Sequence, residues 1–380
     1  MKIVKGGVTT PRGFKANGIC CGIKRSGKLD LALITSDVPA AAAGVFTKNS
    51  IKAAPLIVSQ KNIKNGKAQA IICNSGNANC FTGDFGLVYA RRTTERVAEL
   101  LNMPKEDVIV TSTGIIGRAL PYTKIEKGAP KLVQGLNTAG ASKAAKAIMT
   151  TDTKIKEIAG RIIVDNKKVH IGGCAKGSGM VAPNMATMLA FITTDIAISP
   201  RMLKIALKEA NELSFNRITV DGCMSTNDMV VIMANGMAKN KSITRPGKEY
   251  NTFVKALYQV CLDLAKKIVV DGEGATKFIE VKVIGSKTEK QAKEAALTVA
   301  NSVLVKTAAF GSNPNWGRVA AAIGSLGIDK VTEKNLKIDF SPFDKKEIEI
   351  KVDLNIGPHE ATVYTSDMSY EYVRINGEYN

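Results

Sequence analysis

Histidine is almost absent, with only His170 and His359 in a chain of 380 residues. A Ser-His-Asp or Cys-His mechanism needs a positioned imidazole and a group that orients it. His170 lies in an alternating stretch before Gly172-Gly173 and reads as structural. The seven cysteines form an odd, scattered set whose close groupings, Cys20-Cys21 and Cys73 with Cys80, lack metal-ligand spacing. No metal site is expected, and the thiols read as free and buried in a reducing compartment. Aromatic residues make up 5%, with a single tryptophan, too few for a base-stacking platform. No apolar run approaches the roughly 20 residues of a membrane span. The opening MKIVKGGVTTPRGF has neither an apolar signal core nor an Arg/Ser-rich amphipathic stretch. The expectation is a soluble, cytoplasmic protein without membrane association.

Acidic residues are outnumbered, 34 Asp and Glu against 53 Lys and Arg, for a formal net charge of +19. The excess is mostly lysine dispersed along the chain, with no dense basic run. That describes a lysine-rich surface, which keeps the protein soluble and draws carboxylate substrates, better than a nucleic-acid footprint. With 45% hydrophobic residues the chain can bury a substantial core in two or three domains. Alternating helix and strand patterns without a periodic repeat make the class α/β.

Local patterns place most elements. Residues 29–48 read as strand, Ala-rich connection at Pro39 and strand, and residues 68–73 as a short strand opening into the Asn/Gly-rich loop NSGNAN. A helix is expected over 84–101 and a strand over 108–110, which ends in Thr111-Ser112-Thr113-Gly114. An Ala-rich helix over 139–149 runs into Thr150-Thr151-Asp152-Thr153, and a hairpin turns at Asp165-Asn166. Ser199-Pro200 caps a helix with the stripe Leu203, Ala206, Leu207 and Ala210. Strands are expected at 218–220 and 268–270, helices over 248–266 and 290–303, and a hairpin pairing 348–356 with 361–364. The loop Asp221 to Asp228 carries two acids, but its spacing fails the EF-hand pattern. Trp316, in FGSNPNWGR, reads as a hydrophobic plug closing a turn.

The most informative stretch is Lys176 to Asp195, KGSGMVAPNMATMLAFITTD. Its bland reading is a Gly-containing loop entering a buried strand, with Thr187 a β-former at the strand's start. Its sharper reading makes Thr187 a nucleophile. A threonine hydroxyl needs a base, and an α-amine freed by cleavage of the preceding bond can serve. Such an amine titrates at roughly 7.7–8.0, near working pH.

KGSG followed by NMATML resembles the self-cleavage site of the ornithine acetyltransferase (glutamate N-acetyltransferase) family of arginine biosynthesis. AGVFTKN, NSGNAN with Thr82-Gly83, STG, TTDT, ITVDG-MSTND, DGEGATK, PNWGR and the tail SDMSYEYVRINGEYN resemble that family in the same order. One departure is Cys223, where a small acidic residue is more usual. The resemblance implies cleavage between Ala186 and Thr187, giving an α chain of 1–186 and a β chain of 187–380 whose C-terminal part, about 285–380, is a smaller mixed domain. It implies an α/β/β/α sandwich, an acetyl-Thr187 intermediate, and an oxyanion hole made by Thr113 and Gly114. Substrate contacts fall on Thr150, with Thr151 as its neighbour, and on Lys176, Thr187, Glu273 and Asn376. The implied substrates are N-acetylornithine and glutamate, with no cofactor, acetyl-CoA as an alternative acetyl source, and an α2β2 heterotetramer. Many family members carry one more Thr or Ser contact beyond the position of Asn380, and substrate affinity is the property this departure leaves open. Two rivals stay open: a related self-cleaving aminopeptidase, and a basic RNA-binding protein that needs only the charge.

Overall fold

The computed structural model describes residues 1–182 and 188–378. Among them nine strands join in one sheet: β1 (Lys2–Val4), β2 (Phe14–Ile19), β3 (Leu31–Phe46), β4 (Lys67–Asn77), β5 (Val108–Ile115), β6 (Lys156–Val164), β7 (Lys167–Lys176), β8 (Leu189–Thr194) and β9 (Met229–Ala234). The helices of this part are α1 (Ala54–Asn62), α2 (Gly83–Leu101), α3 (Tyr122–Gln134), α4 (Ala141–Ala147), α5 (Pro200–Glu212) and α6 (Lys248–Val270).

The long strand β3 shapes the rest. Its first half pairs with β2 and β4, its second with β9, and its register with β4 breaks between Thr35 and Ala40. Instead of two strands about Pro39, residues 31–46 are one strand whose exposed middle, Asp37 to Pro39, marks the break. Proline lacks a ladder donor, so its place at an irregularity costs little. The sheet therefore folds into two packed halves, β2-β3-β4-β5 and β3-β9-β8-β7-β6-β1.

Both faces of each half are apolar, because near-continuous apolar runs such as those of β8 and β9 send successive side chains to opposite faces. Leu33, Ile72 and Val110 pack outward with Ala90, Val97, Ile125 and Leu132 of α2 and α3. Ile34, Ile71 and Ile109 point inward and meet Leu189, Phe191, Val231 and Met233 of the other half. Ala190, Ile192, Val230 and Ile232 face away from that interior toward Leu203, Leu207, Leu257 and Leu264 of α5 and α6. The order helix, sheet, sheet, helix is the α/β/β/α layering expected above.

A second sheet begins at β10 (Phe278–Ser286), joined by β11 (Lys337–Phe340), β12 (Glu347–Asp353) and β13 (His359–Ser366) in the order β11-β12-β10-β13. Helices α7 (Glu289–Asn301), α8 (Val303–Phe310) and α9 (Trp316–Gly324) belong to this part, and α10 (Tyr370–Glu378) follows β13. Its own core gathers Val281, Val299, Ile323, Ile350 and Val363.

Several local expectations change. β12 and β13 do not form a hairpin, because β10 lies between them, parallel to β12 and antiparallel to β13. Residues 268–270 continue α6 rather than forming a strand; burial of Ile268 and Val269 in the helix-layer core overrides their β-branched preference. Ile218 makes only an isolated bridge to Tyr364. The helix expected over 290–303 is α7, which ends at Asn301, and a further helix, α8, follows at once, its start capped by the Ser302 side chain accepting the Val305 N–H. Trp316 opens α9 at 66% exposure and plugs nothing. The Ser199 cap is present, with its hydroxyl accepting the Met202 N–H at 3.3 Å.

Candidate active site

β7 ends at Lys176 and β8 starts at Leu189, its antiparallel partner. The intervening chain includes residues 183–187, so Ala186 and Thr187, the expected cleavage pair and nucleophile, lie outside the described residues. Both flanks are tied to carboxylates of the loop between α5 and β9. Asp221 accepts the N–H groups of Met180 (2.5 Å) and Val181 (2.9 Å). Asp228 accepts the N–H of Met188, the residue bonded to Thr187, at 3.0 Å. The acids of this loop are thus backbone acceptors.

A cavity of about 100 Å³ opens beside these flanks, and Thr113, Gly114, Thr150, Lys176, Glu273 and Asn376 all line it. They arrive from β5, the loop after α4, the end of β7, the turn after α6, and α10. Thr151 lines it too, so the neighbours Thr150 and Thr151 both face this space. Ser225, Thr226 and Asn227 are lining residues that sequence reasoning did not single out. The signal that could have found them is the polar run MSTND leading straight into the buried strand β9.

Thr113 and Gly114 end a strand held from two sides. The Asn227 amide donates to the carbonyls of Ser112 and Ala78, both at 2.7 Å, and the Ser112 hydroxyl donates to Asn74 at 2.5 Å. Pairing of β4 with β5 is irregular at Gly76 and Asn77. There Gly114 takes φ +130°, and an added Cβ would lie 2.5 Å from the carbonyl carbon of Gly76. Only glycine fits so close an approach. Fixed polar groups of this kind suit a developing oxyanion, because no reorganisation is needed when charge appears.

On the opposite wall Lys176 is 2% exposed, with its ammonium 3.8 Å from Asp152. The Asp152 carboxylate also accepts the N–H of Thr150 (2.9 Å) and of Gly177 (2.7 Å). Burial pushes this carboxyl up, but Lys176, Lys156 and these bonds outweigh burial and hold it well below the usual carboxylate range. Glu273 donates its N–H to the Ser178 carbonyl at 2.9 Å, and its Oε2 accepts from the Asn376 amide at 2.9 Å. Gly179 makes room for it, since a Cβ there would fall onto the Glu273 carboxylate. The helix carrying Asn376, α10, is seated by Tyr372 on Asp221 (3.3 Å) and by Ser369 on the Gly274 carbonyl (2.6 Å). A wider hollow of about 740 Å³ beside α7, lined by Lys290, Lys293 and Glu294, holds none of these groups.

Asp228 is fully buried, and its Oδ2 has no hydrogen-bond partner. Burial pushes its carboxyl well above the ordinary range, only partly offset by the Met188 N–H. A carboxyl with a raised folded pKa contributes stability that is full below its unfolded pKa and lost as pH rises through the folded one. Asp228→Asn keeps an acceptor for Met188 and never ionises. It should match the parent in acid and exceed it above neutral pH, by on the order of 2 °C in Tm. Melting curves across pH with equal slopes for both proteins would contradict this.

The layered α/β fold presents a cavity of hydroxyls, a Thr-Gly pair, one lysine and one glutamate, groups suited to acyl transfer to or from a substrate with a carboxylate and an ammonium group. The ArgJ family model matches residues 15–344 and 341–380, and the chain belongs to the ArgJ family. The arginine biosynthesis bifunctional protein ArgJ of Geobacter sulfurreducens is 47% identical over 97% of this chain and 99% of its own length. The glutamate N-acetyltransferase of Methanocaldococcus jannaschii is 46% identical over the full length of both. A solved structure of ornithine acetyltransferase with ornithine, from Mycobacterium tuberculosis, is 41% identical, with a TM-score of 0.45, over 48% of this chain and 97% of that one. Among the described residues no group of three or more His, Cys, Asp or Glu could hold a metal ion. No helix among them is long and apolar enough to cross a membrane.

Proposed function

We propose that this chain is a self-processing glutamate N-acetyltransferase of arginine biosynthesis, moving acetyl from N2-acetylornithine to glutamate through an acetyl ester on Thr187. The observation that carries the reading is the convergence of Thr113, Gly114, Thr150, Lys176, Glu273 and Asn376 on one cavity beside the chain that leads into Thr187. In maturation the Thr187 hydroxyl attacks the Ala186 carbonyl, the C–N bond breaks and the amine takes the proton. Water then hydrolyses the ester, leaving chains of residues 1–186 and 187–380. In turnover the freed amine accepts the hydroxyl proton as the oxygen attacks the acetyl carbonyl. Thr113 and Gly114 stabilise the oxyanion, each donor worth on the order of 3–4 kcal/mol. Ornithine leaves with the proton as its C–N bond to acetyl breaks. The amine of glutamate then attacks the acetyl ester, the ester C–O bond breaks, and the Thr187 oxygen takes back a proton from the amine as N-acetylglutamate leaves. Two half-reactions at one site produce ping-pong kinetics.

Lys176 anchors a substrate carboxylate and Glu273 an ammonium group. These steps call for no metal or cofactor, with acetyl-CoA as an alternative donor. The working form is an α2β2 assembly in the cytoplasm. The test is acetyl transfer by purified protein from N-acetylornithine to glutamate; release of amino acids from peptides in its place would favour an aminopeptidase. Within this scheme Glu273→Gln should leave cleavage intact and raise KM for acetylornithine by roughly 10- to 100-fold, as expected when a charged contact to substrate is lost. An unchanged KM would remove Glu273 from the substrate contacts.

A further inference from the structure

Lys156, the first residue of β6, is 1% exposed and does not line the cavity. Its ammonium donates to Asp152 at 2.7 Å, to Asp271 at 2.5 Å and to the Lys154 carbonyl at 3.4 Å, so all three N–H groups are used. A buried cation so placed contributes little net stability, but removing one partner leaves an uncompensated charge. What such a cluster can fix is geometry, and each of its carboxylates holds a piece of the cavity wall. Asp152 takes the N–H groups of Thr150 and Gly177 and faces the Lys176 ammonium. Asp271 caps the end of α6 two residues before Glu273, and it takes the N–H groups of Thr153 and Lys154 as well as the Thr153 hydroxyl. The turn with Glu273 is then pinned to the chain after Lys176 by the bond from Glu273 N–H to the Ser178 carbonyl, while the Ser178 and Thr151 hydroxyls lie 2.6 Å apart. Thr150, Lys176 and Glu273 come from three different elements, and among the described residues Lys156 is the side chain that hydrogen-bonds both Asp152 and Asp271.

We propose that Lys156 is a positioning residue for substrate: by holding Asp152 and Asp271 together it sets the spacing between Thr150, Lys176 and Glu273. The inference rests on the acetyltransferase reading above. It separates the two jobs of the site, because self-cleavage uses Thr187 and the oxyanion hole, whereas turnover also needs substrate's carboxylate and ammonium held at a set distance.

The experiment compares full-length wild type, Lys156→Met, Lys156→Arg and the double variant Lys156→Met/Asp271→Asn, which leaves Asp152 paired with Lys176. Denatured mass reports cleavage, and steady-state kinetics with acetylornithine and glutamate report KM and kcat. The expected result is complete cleavage in every variant, with KM raised roughly 10- to 100-fold and kcat less affected in both Met variants, the size of effect that a misplacement of about 1 Å produces. Arg restores part of the loss. A cleaved Met variant with KM and kcat within about twofold of wild type would overturn the proposal. Should Lys156→Met alone fail to fold, the double variant decides. Failure of both to fold would also overturn the proposal, since the network would then serve the fold and not the cavity. Wild type that cleaves but transfers no acetyl would overturn the functional reading and this inference with it, whereas active wild type beside unaffected variants would sink this inference alone.

Discussion

Thr187→Ala is expected to purify as one uncut chain while wild type yields two fragments meeting between Ala186 and Thr187. In the mutant no hydroxyl can attack the preceding carbonyl, no α-amine is released, and no oxygen remains to carry acetyl. Turnover should fall on the order of a millionfold, the loss seen when an acyl-transfer nucleophile is removed. Thr187→Ser keeps the hydroxyl and should still be cut, which separates chemistry from a packing defect. The flanks of the segment do not depend on the Thr187 side chain, since Met180, Val181 and Met188 are bound through their N–H groups to Asp221 and Asp228. The mutant should therefore fold. An uncut yet active Thr187→Ala would end the mechanism, and a wild type that stays uncut would leave Thr187 a residue at the start of a strand.

The site residues were legible through the family resemblance, and local chemistry alone gave only weak signals for them. Thr113-Gly114 and Gly272-Glu273-Gly274 place a hydroxyl or a carboxylate beside glycine, a combination that serves close approach better than regular structure. Lys156 and Asp152 stood in plain view without such a mark, because nothing in TTDTKIKE tells a buried lysine from a solvated one. Their meaning comes from Asp271, more than a hundred residues away and brought near by α6. Long-range pairing also explains the missed β-topology. Residues 348–356 and 361–364 look like a local hairpin, yet β10 inserts between them and pairs with both. The layering fared better, but through the family resemblance, which implied the α/β/β/α order. The strands β4, β5, β8 and β9 carry near-continuous apolar runs, consistent with burial on both faces but silent on which layer covers each face.

Gly114→Ala tests the other half of the cavity, and its effect should differ in kind from that of Lys156. The substitution removes no N–H group and no hydroxyl. Its new Cβ would stand 2.5 Å from the carbonyl carbon of Gly76 and 2.6 Å from the nitrogen of Asn77, backbone atoms that cannot rotate away. The β4–β5 irregularity must open, and Thr113 and residue 114 move with it. Losing one well-placed oxyanion donor lowers kcat by roughly 10²–10³. Because maturation and turnover share that hole, cleavage and acetyl transfer should fall together, with KM little changed. Gly117→Ala is the control: Gly117 also has positive φ, at +80°, but nothing lies within 4 Å of its Cβ position. That variant should bear only the backbone penalty, on the order of 1–2 kcal/mol of stability, and still be cut. Cleavage at the wild-type rate in Gly114→Ala would show that the Thr113-Gly114 backbone is not what meets the oxyanion. Slow cleavage with normal turnover by the matured fraction would show that the two reactions use different holes.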